Sequence, residues 1–550
     1  MPLVSLRGLG QAGLVTDLPA VDLPLPALTT ARNVVFRDGA IRRSPLFRRA
    51  LHTGSMPAAP QGFGTITPAA GFDRLIVVSQ GGGYVTIDNG HVIDANPDHY
   101  DPASAPVSSA AVSFASHGGT CVINRAVEVP YYLDAGSQRL QPLPGWDDNW
   151  RCAALRSYKD FLVAVDIAKG GARFANTVKW SDIVDLSRGP VPQTWAETVV
   201  TYNEVTKLNE SRATSAGENT LAGLASPLVD AVVLKDALIL YAVGETWVMS
   251  YVGGNDIFRF DPLFERRGAL NTNAAMGLDG RHYVFGDQDL WSHDGVSAQS
   301  VISGRIRNRV YRHLDPRKRD RVFVTTDRAR RLVYFCYPST EAGLKFAANR
   351  GCNVAVALQP DTGAVAEIDL PDVVAGQPAN VNWAPTYDSE TGTYDTDPLD
   401  YADKGDTFDK PQVFLTAATL LVMDEAGEAA MLPGLETSAD DNGAPLVART
   451  GLSLADMAGL DAYKVWREIN PLIELEDQAD AVVFRFGAAP WVSSPTAWGP
   501  EMTFRPAQHR HLNSRVGGRM LAYEFRPSDP LRPFCFSGFD FDPQPLGRRG

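Results

Sequence analysis

VLKDALILYAVGETWVMSYVG, residues 233–253, reads as strand, tight turn, strand. An apolar run is bounded by Lys235-Asp236 and Gly244-Glu245, and a second run rich in β-formers follows. One such phrase is any β-hairpin. Its weight comes from repetition. DRLIVVSQGGGYVTIDNGHVID (73–94) and SFASHGGTCVINRAVEVPYYLDAG (113–136) follow the same scheme. So do SYKDFLVAVDIAKGG (157–171), MGLDGRHYVFGDQDLWSHDGVSAQSVI (276–302), DRVFVTTDRARRLVYFCYPS (320–339) and VFLTAATLLVMDEAGEAAML (413–432).

Small sheets repeated at this spacing bury both faces only against one another. The pattern therefore predicts an all-β chain built on a β-propeller of six or seven irregular blades. The repeated phrases lack WD dipeptides and kelch glycines, which leaves the blade number open.

Upstream, ARNVVFRDGAIRRSPL (31–46) is a hairpin with Asp38-Gly39 as its two-residue turn. Such a turn needs positive φ, which Gly supplies cheaply. Before it, residues 1–30 are rich in Leu, Pro and Gly without a period. They read either as an extended arm on a neighbouring surface or as a disordered tail. After about residue 445 the strands lengthen and alternate, as in YKVWREINPLIEL, ADAVVFRFGAA and NSRVGGRMLAYEFR. The expected organisation is an N-terminal arm and hairpin over 1–61, a propeller over 62–440 and a C-terminal β-sandwich-like domain over 441–550.

Two stretches interrupt the propeller pattern. Over 304–321, Ile306, Val310 and Leu314 recur at helical spacing among Arg and Lys, predicting a short basic amphipathic helix. Over 386–410 lies an acidic loop with Tyr387, Tyr394, Tyr401 and Phe408. Its carboxylates at Asp395, Asp397, Asp400, Asp403 and Asp406 are dense enough for calcium, but the order of an EF-hand loop is missing.

The 550 residues are 44% hydrophobic and 21% charged, with formal net charge −13. That balance argues against a protein that grips nucleic acid, because phosphate affinity comes mainly from Lys and Arg. It does not exclude a protein that DNA slides past, because a like-charged wall leaves no sticking points. The five cysteines form no CxxC pair and several lie in apolar strands, so they read as buried thiols suited to a reducing compartment. The N-terminus lacks the pattern of a secretory leader, and no apolar run approaches the ~18 residues of a membrane helix.

No G-x-S-x-G, H-E-x-x-H or P-loop motif occurs. Gly81-Gly82-Gly83 reads as a turn. His509 and His511, two apart on a strand, face the same way without a third metal ligand nearby. His282 and His293 sit beside turns with no evident partner. Trp247, Trp291 and Trp383 read as blade core. No catalytic, cofactor-binding or metal residue is assigned, and no cofactor is expected.

Several phrases in order resemble the tail nozzle proteins, also called hub or stabilisation proteins, of short-tailed bacteriophages. ARNVVFRDGAIRRSPL resembles their opening. KWSDIVD with Trp195 downstream, GETWVMSYVGGNDIFRF, RHYVFGDQDLWSHDG and DRVFVTTDRARRLVYFCYPS follow in that family's order, then RVGGRMLAYEFR and FSGFDFDPQPLGRR close the chain. The acidic loop departs from the family, with Tyr where tryptophans are expected. The resemblance implies a structural virion protein and not an enzyme. It implies a hexamer at the distal end of the tail, assembled in the host cytoplasm. Such a ring lies below an adaptor protein, extends the DNA channel, lets the genome pass without sequence-specific binding, and holds a fibre, spike or needle.

The residue candidates are therefore subunit contacts. They are Arg32, Arg37, Arg42 and Arg43 on the hairpin, and Arg307, Arg312, Arg317, Lys318 and Arg319 on the basic helix. Solvated strand edges and a solvated helix face are the plain alternatives. The alternative function is a β-propeller glycan hydrolase or glycan-binding protein, which needs converging acids or a pocket.

Overall fold

The computed structural model describes residues 4–50, 54–68, 72–203, 207–254, 256–381, 410–424, 435–454, 462–477 and 480–545. The acidic loop over 386–409, its possible calcium ligands and Trp383 lie outside the described residues.

The repeated phrase is a four-stranded antiparallel meander. Residues 228–264 are the plainest case, with strands Leu228–Leu234, Ala237–Ala242, Thr246–Tyr251 and Phe258–Phe264 paired in chain order. Its second strand is apolar throughout, and Leu238 to Ala242 are all buried. Two-sided burial explains the unbroken run, because neighbouring sheets cover both faces of that strand. The same holds for Leu75 to Val78 and Leu162 to Val165, where solvent reaches none of the eight side chains.

Six blades of this kind are each built from one stretch of chain, beginning with Pro60–Ile66, Ser113–His117, Trp150–Tyr158, Leu228–Leu234, Ala275–Leu278 and Phe323–Asp327. Their first strands pack side by side around an axis. The gap between the sixth blade and the first is closed by a composite sheet. It runs Ala375–Pro378, Gln412–Leu415, Leu420–Asp424, then Leu46–Ala50 and Leu435–Thr437. The N-terminal strand Leu46–Ala50 thus completes the ring.

The expected β-rich C-terminal region is present as two facing sheets. One carries Phe534–Pro545 between Ala40–Arg43 and Lys464–Leu475. The other runs Thr30–Arg32, Leu446–Leu452, Met520–Pro527, Val482–Ala489 and Ala497–Phe504. Trp466, Phe484, Phe525, Phe536, Phe539 and Phe541 fill the space between them, all buried. The second sheet continues directly into the sixth blade, because Arg32 pairs in parallel register with Glu367 of the strand Val365–Val373.

The domain limits differ from the expected ones. The described residues of 1–61 form no unit of their own. Val4–Arg7 pairs with Phe534–Pro545, the hairpin Val34–Arg37/Ala40–Arg43 extends the same sheet, and Leu46–Ala50 belongs to the propeller. Alternation of apolar and polar residues identifies a strand but says nothing about a partner hundreds of residues away. The Pro-rich stretch is held too, since the buried Arg449 guanidinium donates to the carbonyls of Ala20 (2.8 Å) and Leu23 (3.1 Å). The hairpin turn itself matches its sequence, with φ of 55° at Asp38 and 74° at Gly39.

Candidate functional site

The basic helix forms over Arg307–His313, where Val310 is buried together with the flanking Ile306 and Leu314. The four-residue spacing of these three residues puts them on one face. Arg307, Arg312 and Arg317 are exposed on the other side. Arg307 donates to the carbonyl of Gln288 at 2.8 Å. Lys318 donates to the carbonyl of Ala348, and Arg319 pairs with Asp287. The latter two cations are therefore engaged within the chain.

Arg37 and Arg42 remain on the surface, each only loosely approached by the exposed Asp38 at 4.0 and 3.9 Å. Arg43 is a correction to the expected contact set. It is 4% exposed and donates to the carbonyls of Pro530 (2.8 Å), Asn33 (3.1 Å) and Gly443 (2.8 Å). Burial lowers its pKa to about 10 despite the nearby Asp369. An arginine this enclosed ties the hairpin to the C-terminal region and offers nothing to a neighbour. Arg32 is likewise committed, with Nε and Nη2 on Asp369 at 2.9 and 2.6 Å.

The two arginine groups, distant in sequence, meet on the strand Val365–Val373. Asp369 takes Arg32 and the amide of Asn33 (2.7 Å), while Glu367 takes Arg309 Nε at 2.6 Å. Arg309 also holds Glu341 at 2.8 Å. Glu367 and Asp369 are both buried and point the same way. Sequence reading passed over Arg309. Its one-turn offset from Arg305 and His313 carries no hint of partners that lie on other elements.

A cavity of about 320 Å3 lies on the propeller axis. Polar groups on its wall include Gln61, Ser116, Ser157, Arg156 and Asn273, and its rim carries Asp320, Arg321 and Arg350. Deep in the wall, Arg156 Nε and Nη2 clasp the fully buried Asp230 at 2.8 and 2.9 Å. Arg156 also donates to the Asn273 side-chain oxygen (2.7 Å) and to the carbonyl of Phe114 (2.8 Å). The Asn273 amide reaches the carbonyl of Val112 at 3.0 Å, and its backbone N–H meets Asp230 at 2.8 Å. This network ties the second, third, fourth and fifth blades together. Each charge is neutralised and satisfied, which marks it as structural.

His282 and His293 gain the partner the sequence did not reveal. Tyr241 Oη lies 2.8 Å from His282 Nδ1 and 2.7 Å from His293 Nε2. His282 Nε2 donates to the carbonyl of Val233 at 2.9 Å, so its Nδ1 accepts from the Tyr241 hydroxyl. His293 Nδ1 accepts from the Gly295 N–H, leaving its Nε2–H to donate to the same oxygen. Burial pushes both imidazoles down, His282 to about 4 and His293 to about 3.

Among the described residues no group of three or more His, Cys, Asp or Glu is arranged to hold a metal. His509 Nδ1 accepts from the Arg505 N–H, and His511 lies 4.0 Å from Glu468. All five cysteines are free, and Cys121, Cys152, Cys336 and Cys352 are buried. Burial raises the Cys121 thiol to about 12, away from nucleophilic use. No described helix is long and apolar enough to cross a membrane.

No protein-family model matches the chain, and no curated protein matches it. Among solved structures it is similar to the computationally designed Ika8 protein, at 12% identity and a TM-score of 0.37, over 68% of this chain and 99% of that one.

Proposed function

We propose that the protein is a structural ring subunit, the nozzle or hub at the distal end of a short-tailed phage tail. The ordered phrases from residue 31 to the C-terminus support this reading. The observation that carries it is a contrast of charge. The chain is strongly acidic, with formal net charge −13, yet exposes Arg37 and Arg42 on one hairpin and Arg307, Arg312 and Arg317 on and just after one helix. Basic patches on an acidic subunit favour head-to-tail contacts, and such contacts close into rings.

In this reading six copies join, the genome passes between copies, and neither metal nor cofactor takes part. The axial cavity of each propeller, about 320 Å3, is no conduit for a duplex whose major groove alone is ~12 Å wide. The acidic balance keeps passing DNA from sticking. An adaptor ring above and a fibre, spike or needle below are the partners. Glycan hydrolysis has less support, because Asp320 is the one carboxylate among the described residues lining the cavity, and that chemistry needs two at ~5–9 Å.

The test is the mass of the purified particle by native mass spectrometry. A hexamer is expected for the wild type, and weakened assembly for the double variant Arg37→Glu/Arg42→Glu. A wild-type monomer, or an unchanged ring in the variant, would overturn the respective claim.

A further inference from the structure

In the third blade the chain leaves the propeller after Ala172–Trp180 and returns at Gly217–Thr220. The excursion contains a two-stranded ribbon, Thr198–Asn203 against Leu208–Ala213, and among the described residues it pairs with no other strand. Its foot is fixed. Thr214 donates from its backbone N–H to the carbonyl of Glu197 at 2.9 Å, and from its hydroxyl to that of Ala196 at 2.6 Å. Asp182 accepts from the Ser215 N–H at 2.9 Å and pairs with Arg212 at 3.8 Å. Beyond the foot the ribbon is open to solvent, with Val200, Tyr202 and Leu208 all exposed. A two-stranded ribbon is marginal in water by itself.

Register sorts the side chains. Opposite residues of an antiparallel pair share a face, so Thr198, Val200 and Tyr202 stand with Ala213, Ser211 and Asn209. All of these are exposed and none is charged. The charged Glu210 and Arg212 lie on the other face, and the pairing of Arg212 with Asp182 turns that face toward the propeller. The uncharged face therefore looks outward. At its foot, the loop that carries Asp182 adds the exposed side chains of Ile183 and Leu186.

We propose that this strip is a contact with a second copy of the chain, an inference that rests on the reading above that copies assemble. Charge selects the occupant. Each copy carries formal net charge −13, so copies meet best at basic patches or where charge is absent, and this face is of the second kind. A basic partner drawn by the same acidic balance gains nothing from an uncharged face. Lys207 at the ribbon's turn and the nearby Glu210 do not suit burial in a bilayer. The ribbon's marginal stability calls for a constant companion, and a second copy is present wherever the chain is made. Strands of six residues make a face ~20 Å long and ~10 Å wide, about 200 Å2. A stable interface covers ~800 Å2 on each partner, so the ribbon adds to the contacts of the exposed arginines and does not replace them.

Sedimentation velocity of the full chain over a dilution series tests it, comparing the wild type with Val200→Asp/Tyr202→Asp. The variant is expected to dissociate at a concentration about tenfold higher, at about 0.1 M and at about 1 M salt alike, because an apolar contact is not screened. Both residues are exposed, and circular dichroism checks that the variant is folded. A benzophenone amino acid in place of Tyr202 reads the neighbour directly. Irradiation of the assembled chain is expected to give covalent dimers on a denaturing gel, which vanish when the chain is diluted to monomer before irradiation. No covalent dimers from the assembled chain, or an unchanged dissociation concentration in the folded variant, overturns the contact. The two readings fail separately. A hexamer showing neither effect sinks the ribbon contact and leaves the ring. Particles of another copy number showing both effects sink the hexamer and leave the ribbon contact.

Discussion

Tyr241 donates to one imidazole and accepts from another, and all three rings are shielded from water. Tyr241→Phe removes both bonds and leaves two buried nitrogens unpaired. A loss of about 1–3 kcal/mol is expected in urea unfolding. The same pair sets a pH dependence. Both folded-state values lie below the ordinary histidine value of 6.5, so the unfolded chain takes up protons first as pH falls. Stability should therefore be intact above about pH 6.5 and decline toward pH 4, each histidine contributing ~1.4 kcal/mol per pH unit. A midpoint that holds steady from pH 7 to 4.5 in the wild type would refute this assignment. Sequence showed both histidines beside turns. It could not show that two blades bring them to one hydroxyl, because that meeting depends on how sheets stack.

At the scale of elements, the helix Arg307–His313 is fastened by its apolar stripe and by Arg309. That side chain bridges Glu341 and the buried Glu367. Arg309→Ala leaves Glu367 with an uncompensated charge. The expected cost is about 2–4 kcal/mol, less than for a fully enclosed pair because Arg309 keeps some solvent contact. Arg312→Ala, on the exposed face, should change stability by no more than ~0.5 kcal/mol. Equal effects from the two variants would show that the bridge contributes nothing. The helix was legible because Ile306, Val310 and Leu314 carry a periodic signal. The hairpin turn was legible because Asp38-Gly39 is a local device. Arg43 was misread for the complementary reason: beside three other arginines it looks like surface, and only distant carbonyls at Gly443 and Pro530 make it interior.

For the whole molecule, the seven repeated phrases and the long C-terminal strands announced propeller and sandwich-like region. The weaving between them was not announced. Strand Leu46–Ala50 closes the ring against Leu420–Asp424, while Val4–Arg7 and the hairpin join the C-terminal sheet. A chain lacking residues 1–50 should lose cooperative unfolding altogether, since both bodies are left with open edges. Two separate, unperturbed transitions by calorimetry would contradict that expectation. If Arg37 and Arg42 act between subunits, the hexamer should also loosen as salt is raised from 0.1 to about 1 M, where exposed charges are screened within ~3 Å. Sedimentation velocity across that range reads the change, and a salt-indifferent particle would count against contacts of this kind.

The closing strand also imposes a schedule on biosynthesis. Leu46–Ala50 leaves the ribosome early, yet both neighbours that flank it are encoded beyond residue 419. At ~5–20 residues per second, the first segment waits tens of seconds for its place. Until then its backbone hydrogen-bonding groups face the crowded interior of the cell. Arg48, Arg49 and the preceding Pro45 guard a nascent chain against premature pairing, so that residues made far downstream decide when the ring closes.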